Sequence, residues 1–458
     1  MVIQLAKKEA MEHLKSFRFL MAFIFIIATF FLMMVTRHFE YKSKYDEYLL
    51  RLTSQEELLD KYANSATVID IVDPILPPSS MEIIVDPATT VALTRSGLFT
   101  FMEGPGHSLD DNPIESINLK IDIIALVGIL GSLLALLLSY DATNREVKGG
   151  TVKLLLSLGV PRIKIILGKI LGGSLAVILP IVIIFLLTST WLATVGGEDF
   201  GVSQWMSLFG IFLASILYIM FFYSLGAFVS SAVLDQTLSA FSCFGIWAMF
   251  VIVIPVLCPY VAKSVVKVPD QGAMRRQIFS IDIELGREHT KITDKWKAQG
   301  LSEDDAVKKA NEEFAVVAET RHAKVKAMIE DYKNAVAWQT KLSVRLSCIS
   351  PYSAYLVAVE ELSGMGFEHS ARLSSVANSW WERANEYLEH QFEIAREQNP
   401  VLNQNTLGLS GIPRFNYVEP TIGYKFSHAL PYIMLLSAYY LLIPFLFVYA
   451  LYSKRRLF

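Results

Sequence analysis

The residue types that make and break bonds are present in this chain, but not in the spacings that such chemistry needs. A phosphate cradle takes the form G-x-x-x-x-G-K-[ST], so that backbone amides and a lysine surround the phosphates. Here Gly168-Lys169 is followed by Ile170 and sits at the edge of an apolar run. The eight histidines, among them His107, His289, His322, His369 and His390, form no H-E-x-x-H or other helix-spaced metal pair, and no G-x-S-x-G elbow occurs. Cys243, Cys258 and Cys348 make no disulfide framework, although an oxidising outer face would allow a Cys258–Cys348 bridge. The expectation is a chain with no catalytic residue, no metal and no cofactor of its own.

One stretch has a different kind of capacity. Residues 140–165 contain Arg145, Glu146 and Lys148, a Gly149-Gly150 break, then Thr151, Lys153 and the run Leu154-Leu155-Leu156, a second break at Gly159-Val160-Pro161, and the basic re-entry Arg162 and Lys164, with Lys169 just beyond. A short helix held parallel to a membrane, apolar on one side and charged on the other, is something a soluble partner could push on. The plain alternative is an ordinary interhelical loop.

The elements that must hold this loop are apolar. The chain has 458 residues, 53% hydrophobic and 19% charged, with 41 Lys and Arg against 44 Asp and Glu. That charged fraction is below the roughly 25% of soluble domains, and a net charge of −3 gives no basic face for nucleic acid. A helix of about 20 apolar residues crosses a bilayer. Six such runs occur, at 19–36, 121–139, 166–192, 208–230, 238–258 and 429–452. Lys7, Lys8, Lys15 and Arg18, the loop cations above, and Lys454, Arg455 and Arg456 flank the spans on one side, while the 193–207 loop carries Glu198 and Asp199 and no cation. Positive charge stays inside, so both termini are expected in the cytoplasm. Residues 19–35 lack a small-x-small cleavage site and read as an uncleaved anchor. The span centres lack ionisable residues, which argues against an ion-coupled carrier.

The fold class predicted is all-α in the membrane: a cytoplasmic interfacial helix over 1–18, six transmembrane helices, and a large external region. Its first part, 37–120, reads as mixed α/β, with an amphipathic helix through Tyr45, Tyr48, Leu52, Leu59 and Tyr62 and strands at Val68–Val72 and Met81–Val85. Its second part, 259–428, reads as long helices. Ser302 and Asp305 resemble a capping box, followed by a stripe from Val307 through Ile329 to Tyr332. A second stripe runs Leu373, Val376, Trp380, Ala384, Tyr387 and Leu388, and the two are expected to bury each other.

Here the sequence resembles the permease subunits of ABC-2 type ATP-binding-cassette transporters. In that family the loop after span two reads as a Glu, Gly-Thr-Leu, a basic residue, leucines and Ser, a Pro-Val-Ser-Arg turn, and Gly-Lys. Glu146, Gly150-Thr151, Lys153, Leu154 to Ser157, Arg162 and Gly168-Lys169 follow that order, with Gly159-Val160-Pro161 replacing Pro-Val-Ser. Lys8-Glu9, Leu14, Lys15 and Arg18 fit the family's interfacial first helix. The large insertions look like the copper-enzyme-maturation and gliding-type subgroup. The resemblance implies a half-transporter in a bacterial inner membrane, paired with an identical or paralogous permease and with a separate ATPase that holds the ATP and Mg. Arg145, Glu146 and Arg162 would then be polar contacts to the ATPase, with Leu154 and Leu155 packing the coupling helix and Gly150, Thr151, Lys153 and Lys169 completing the site. A periplasmic partner for the external helices is the competing role, in which the ATPase moves an external scaffold and nothing is transported. Leu362-Ser363-Gly364-Met365-Gly366 looks like the ATPase signature but falls on the outer side, where it reads as coincidence.

Overall fold

A computed structural model of the chain describes residues 2–61, 75–85, 91–96, 100–105, 122–150, 154, 157–195, 200–233, 235–398 and 411–453. Six of its helices are long and apolar enough to cross a membrane: Phe17–Glu57, Ile123–Val147, Ile163–Thr194, Val202–Ala232, Gln236–Val265 and Ile422–Phe447. These are spans one to six of a multi-pass membrane protein. The chain divides into two compact units, one of Met1–Thr90, Asn112–Leu257 and Ser347–Phe458, the other of Val91–Asp111 and Cys258–Leu346.

The first unit holds α1 (Val2–Leu14) and α2 (Phe17–Lys61), which carries span one. Span two is α3 (Ile123–Leu126), a π-helical turn at Val127–Gly131, and α4 (Ser132–Ser139); α5 (Asn144–Lys148) follows it. Span three is α6 (Arg162–Val195) and span four α7 (Val202–Ala232). Span five is α8 (Gln236–Ala248), a π-helical turn at Met249–Val253, and α9 (Ile254–Val265). Spans two and four form the centre of the bundle, whereas spans one, five and six turn most of their apolar surface outward. A helix apolar all round needs either protein or lipid on every side, and the outer spans have only partial protein cover.

Span one differs from the expected length. Between Phe17 and Lys61 there is neither Gly nor Pro, so nothing stops the helix at the membrane edge, and the amphipathic stretch through Tyr45, Tyr48 and Leu52 continues the same 45-residue element. At 1.5 Å per residue that is about 68 Å, roughly twice a bilayer core. The strand expected at Met81–Val85 is instead a 3-10 turn, Ser80–Ile83. Ser79 accepts from the Met81 amide and Glu82 returns to the Ser79 amide, and this local closure outcompetes extended backbone. Val68–Val72, Leu59 and Tyr62 lie outside the residues or side chains described.

The second unit contains a hairpin of β1 (Val91–Ser96) and β2 (Thr100–Pro105), antiparallel with Val91 opposite Pro105, and two long helices, α10 (Gln271–Ala298) and α11 (Glu303–Ser347). Ser302 caps α11 as its spacing to Asp305 foretold. Met274 and Ile278 of α10 pack on Ile329, with Val325, Met328 and Tyr332 around them. Arg321 ties the pair by reaching Glu284 at 2.7 Å and Glu288 at 3.3 Å. Within the second unit the stripe on α11 therefore packs on α10.

That second stripe lies on α13 (Phe367–Gln398), in the first unit, after α12 (Pro351–Ser363). Trp380 is buried and donates to the Pro413 carbonyl at 2.7 Å, so the irregular segment 411–421 covers it. The last helix, α14 (Ile422–Ser453), starts seven residues before the apolar run that predicted it. Cys258 and Cys348 are not joined in a disulfide. Gly364, with φ of +80°, is the left-handed C-cap of α12, which gives the first glycine of the signature-like stretch a structural reason.

Candidate coupling site

The predicted loop is built against α1. Ala6, Glu9 and His13 recur on one face of α1 and are buried. The opposing surface on α6 is Gly168 and Gly172, one helical turn apart, where an added Cβ would lie 2.7 Å from Leu5 Cβ and 2.3 Å from the Ala6 carbonyl oxygen. Only glycine lets the two backbones approach this closely, and small residues four apart are the usual means of doing so in membrane helices.

The approach places Lys169 at the centre of a charged cluster. Its Nζ donates to Glu9 Oε1 at 3.3 Å, to Glu9 Oε2 at 3.2 Å and to the Ala142 carbonyl at 2.9 Å, and pairs with Glu146 Oε2 at 2.9 Å. Lys169 is 7% exposed and Glu9 4%, so these charges are compensated away from water. His13 Nε2 lies 3.1 Å from the Tyr223 hydroxyl of span four and 3.5 Å from Glu9. Gly173 makes room for that tyrosine. Burial alone would push the Glu9 carboxyl up, but the hydrogen bond with His13 and the Lys169 charge outweigh it and hold the group below its ordinary value.

The start of the loop is fixed as firmly. Asp141 accepts from Arg18 at 2.9 Å, the amides of Thr143 and Asn144 reach Ser230 Oγ of span four, and Ser239 of span five donates to the Tyr140 carbonyl at 2.7 Å. Arg145 is half exposed and pairs with Glu12 at 3.6 Å. Glu9, Glu12 and Glu146 bring carboxylate oxygens within 4.8 Å of one another, yet Lys169 answers Glu9 and Glu146 while Lys8 and Arg145 answer Glu12.

Of the residues singled out in the sequence, the structure brings Glu146 and Lys169 into one ion pair and leaves Arg145 at the rim. Gly150 has φ of +75°, a backbone that favours glycine, and Leu154 is 62% exposed. Arg162 begins α6, though its side chain, like Thr151, Lys153 and Leu155, lies outside the description. Leu158, one turn beyond Leu154, is 71% exposed, so the described part of the loop presents apolar side chains outward. The sequence reading missed Glu9, His13, Asp141, Tyr223 and Ser230 as site members. The i, i+4 spacing of Glu9 and His13 beside apolar Ala6 was the available signal.

A second polar cluster closes the opposite end of the first unit. Glu419 accepts from Ser79 at 3.0 Å, Gln204 at 3.3 Å and Lys425 at 3.3 Å, joining the 75–85 segment to spans four and six. Nearby, His369 Nδ1 lies 2.9 Å from the Tyr417 hydroxyl. Burial pushes His369 down to about 4, with Lys425 and Arg372 acting the same way and Glu419 opposing them. An unfolded histidine binds its proton near 6.5, so the folded state loses stability as pH falls from about 6.5 towards 4. Thermal unfolding of the detergent-purified chain is expected to show that acid-side loss, and His369→Gln to shrink it.

The sequence family described as ABC-2 family transporter protein matches residues 3–457. A probable ABC transporter permease protein, NosY of Stutzerimonas stutzeri, is 35% identical over 133 residues, 29% of this chain. That match spans 48% of the relative, so the chain covers about half the length of the curated protein it resembles. With the family matched from end to end, and with six spans and a loop bolted to an amphipathic first helix, the chain belongs to the ABC-2 family of transporter proteins.

Proposed function

We propose that this chain is the permease subunit of an ATP-driven transporter of the bacterial inner membrane, with both termini and the α1 end of the bundle in the cytoplasm. A separate ATP-binding-cassette ATPase, carrying ATP and Mg, docks at that end, and a second permease, identical or paralogous, completes the membrane part. The observation that carries this reading is the Lys169 cluster. It welds α1, the loop and span three into one body, while Tyr223 and Ser230 extend the weld to span four, so a push on the exposed face reaches the spans without being absorbed locally. Leu154 and Leu158 offer that face apolar area, and Arg145 stands at its edge. Glu146 acts from within, holding Lys169, and not as a direct contact.

Purified gently from its native membrane, the full chain should bring down an ATPase in near-equal amount, and Leu154→Asp with Leu158→Asp should reduce that recovery at least about tenfold, the loss of roughly 1.4 kcal/mol of docking. Full recovery with the double variant would overturn the docking face.

A second reading is favoured by the second unit, whose charged helical pair α10 and α11 is large for a linker. In it the ATPase cycle moves these helices against a periplasmic partner and no substrate crosses. Removing residues 271–340 would then abolish partner binding while the ATPase stayed attached.

A further inference from the structure

Spans two and five each contain one π-helical turn, Val127–Gly131 and Met249–Val253, and the two are wired together. A π-turn carries an extra residue and loosens the ladder of backbone bonds, which is why such turns cluster at working parts of membrane helices. Here side chains from other elements hold the affected carbonyls. The Gly128 carbonyl accepts from the Tyr218 hydroxyl of span four at 2.8 Å and from Ser132 Oγ at 2.6 Å. Ser132 in turn accepts from Trp247 Nε1 at 2.9 Å, and Trp247 stands just before the turn in span five. In that second turn the Phe250 carbonyl accepts from Ser350 Oγ, the side chain that also caps the first amides of α12. Tyr355 of α12 stacks on Tyr218 with centroids 4.5 Å apart, and Tyr352 fills the space beside Gly128, where an added Cβ would lie 2.6 Å away. One short helix thus touches both irregular turns, and it follows α11 in the chain by three residues.

We propose that the two π-turns and the N-terminus of α12 form a register switch. With Ser350 and Tyr218 engaged, both turns stay π-helical. When α12 withdraws, the Phe250 carbonyl loses Ser350 and Tyr218 loses the Tyr355 ring that holds its hydroxyl on Gly128, so both turns are freed to open and re-form with α-helical bonding. A one-residue change of register rotates the remainder of a span by about 100° and shifts it by about 1.5 Å. Two spans would change together, because Trp247 and Ser132 link one turn to the other. The switch converts a withdrawal of α12 into a rotation of spans two and five.

The test is hydrogen exchange on the full chain in lipid nanodiscs, without any partner, so its outcome is independent of the ATPase reading. In the unmodified protein, amides of 127–131 and 249–253 should open with one shared rate, faster than those of α6. Tyr218→Phe removes one hydroxyl and keeps the ring, and should accelerate exchange about tenfold in both turns, the upper end of one hydrogen bond's contribution. Ser350→Ala should do the same, and Ser350→Thr should restore the slow rate. Separate opening rates in the unmodified protein, or acceleration confined to 127–131 in Tyr218→Phe, would overturn the switch even if Ser350→Ala failed to fold.

Discussion

Lys169→Met should unfold the α1 end of this protein or leave it barely stable. The substitution keeps the length and apolar stem of the side chain but withdraws the ammonium that touches both Glu9 and Glu146, two carboxylates held near each other with little water. Removing one partner of a buried ion pair costs about 3–5 kcal/mol, because the other charge stays behind uncompensated. The Ala142 carbonyl also loses its donor. Thermal unfolding in detergent should show a large drop. Adding Glu9→Gln and Glu146→Gln to Lys169→Met should recover most of it, since no net charge is then stranded. If the single substitution were as stable as the parent, the cluster would not be the joint described above.

Gly172→Ala is the second large effect, and it acts through shape. The new methyl would lie 2.3 Å from the Ala6 carbonyl oxygen and 2.8 Å from Ala6 Cα, both backbone atoms that have no rotamer to yield. Helix α1 must lift from span three, at a cost of about 1–3 kcal/mol for overpacking. The larger consequence is positional, because the Glu9 contact to Lys169 at 3.2 Å and the His13 contact to Tyr223 at 3.1 Å open together. Limited proteolysis within 2–18 should accelerate sharply in Gly172→Ala, while Gly245→Ala, where nothing lies within 4 Å of the added methyl, should behave like the parent.

The six spans were legible because lipid demands long apolar runs, and no tertiary detail can hide them. Their ends were less so. Span six begins at Ile422, yet Lys425 made that turn look polar; its charge is buried and answered by Glu419, a contact that only the folded chain reveals. The helical stripes on α11 and α13 were correctly seen as amphipathic, but periodicity says that a face is buried without naming what buries it. Proximity in sequence suggested each other, whereas α10 and the 411–421 segment supplied the cover. At the candidate coupling site, Glu146 and Lys169 stood out by their order along the loop. Their partner Glu9 is 160 residues from Lys169, and pattern alone could not join them. The spacing from Gly168 to Gly172 was the overlooked sign that another backbone must lie there.

In the proposed function, the exposed turn of the loop receives a separate ATP-hydrolysing subunit. A photoreactive amino acid placed at Leu158 in the full-length chain, activated in native membranes, tests it most directly. One dominant cross-linked product is expected, between this chain and an ATP-binding-cassette ATPase, and it should weaken when Leu154→Asp is added. Cross-links only to lipid or to the chain itself would contradict it.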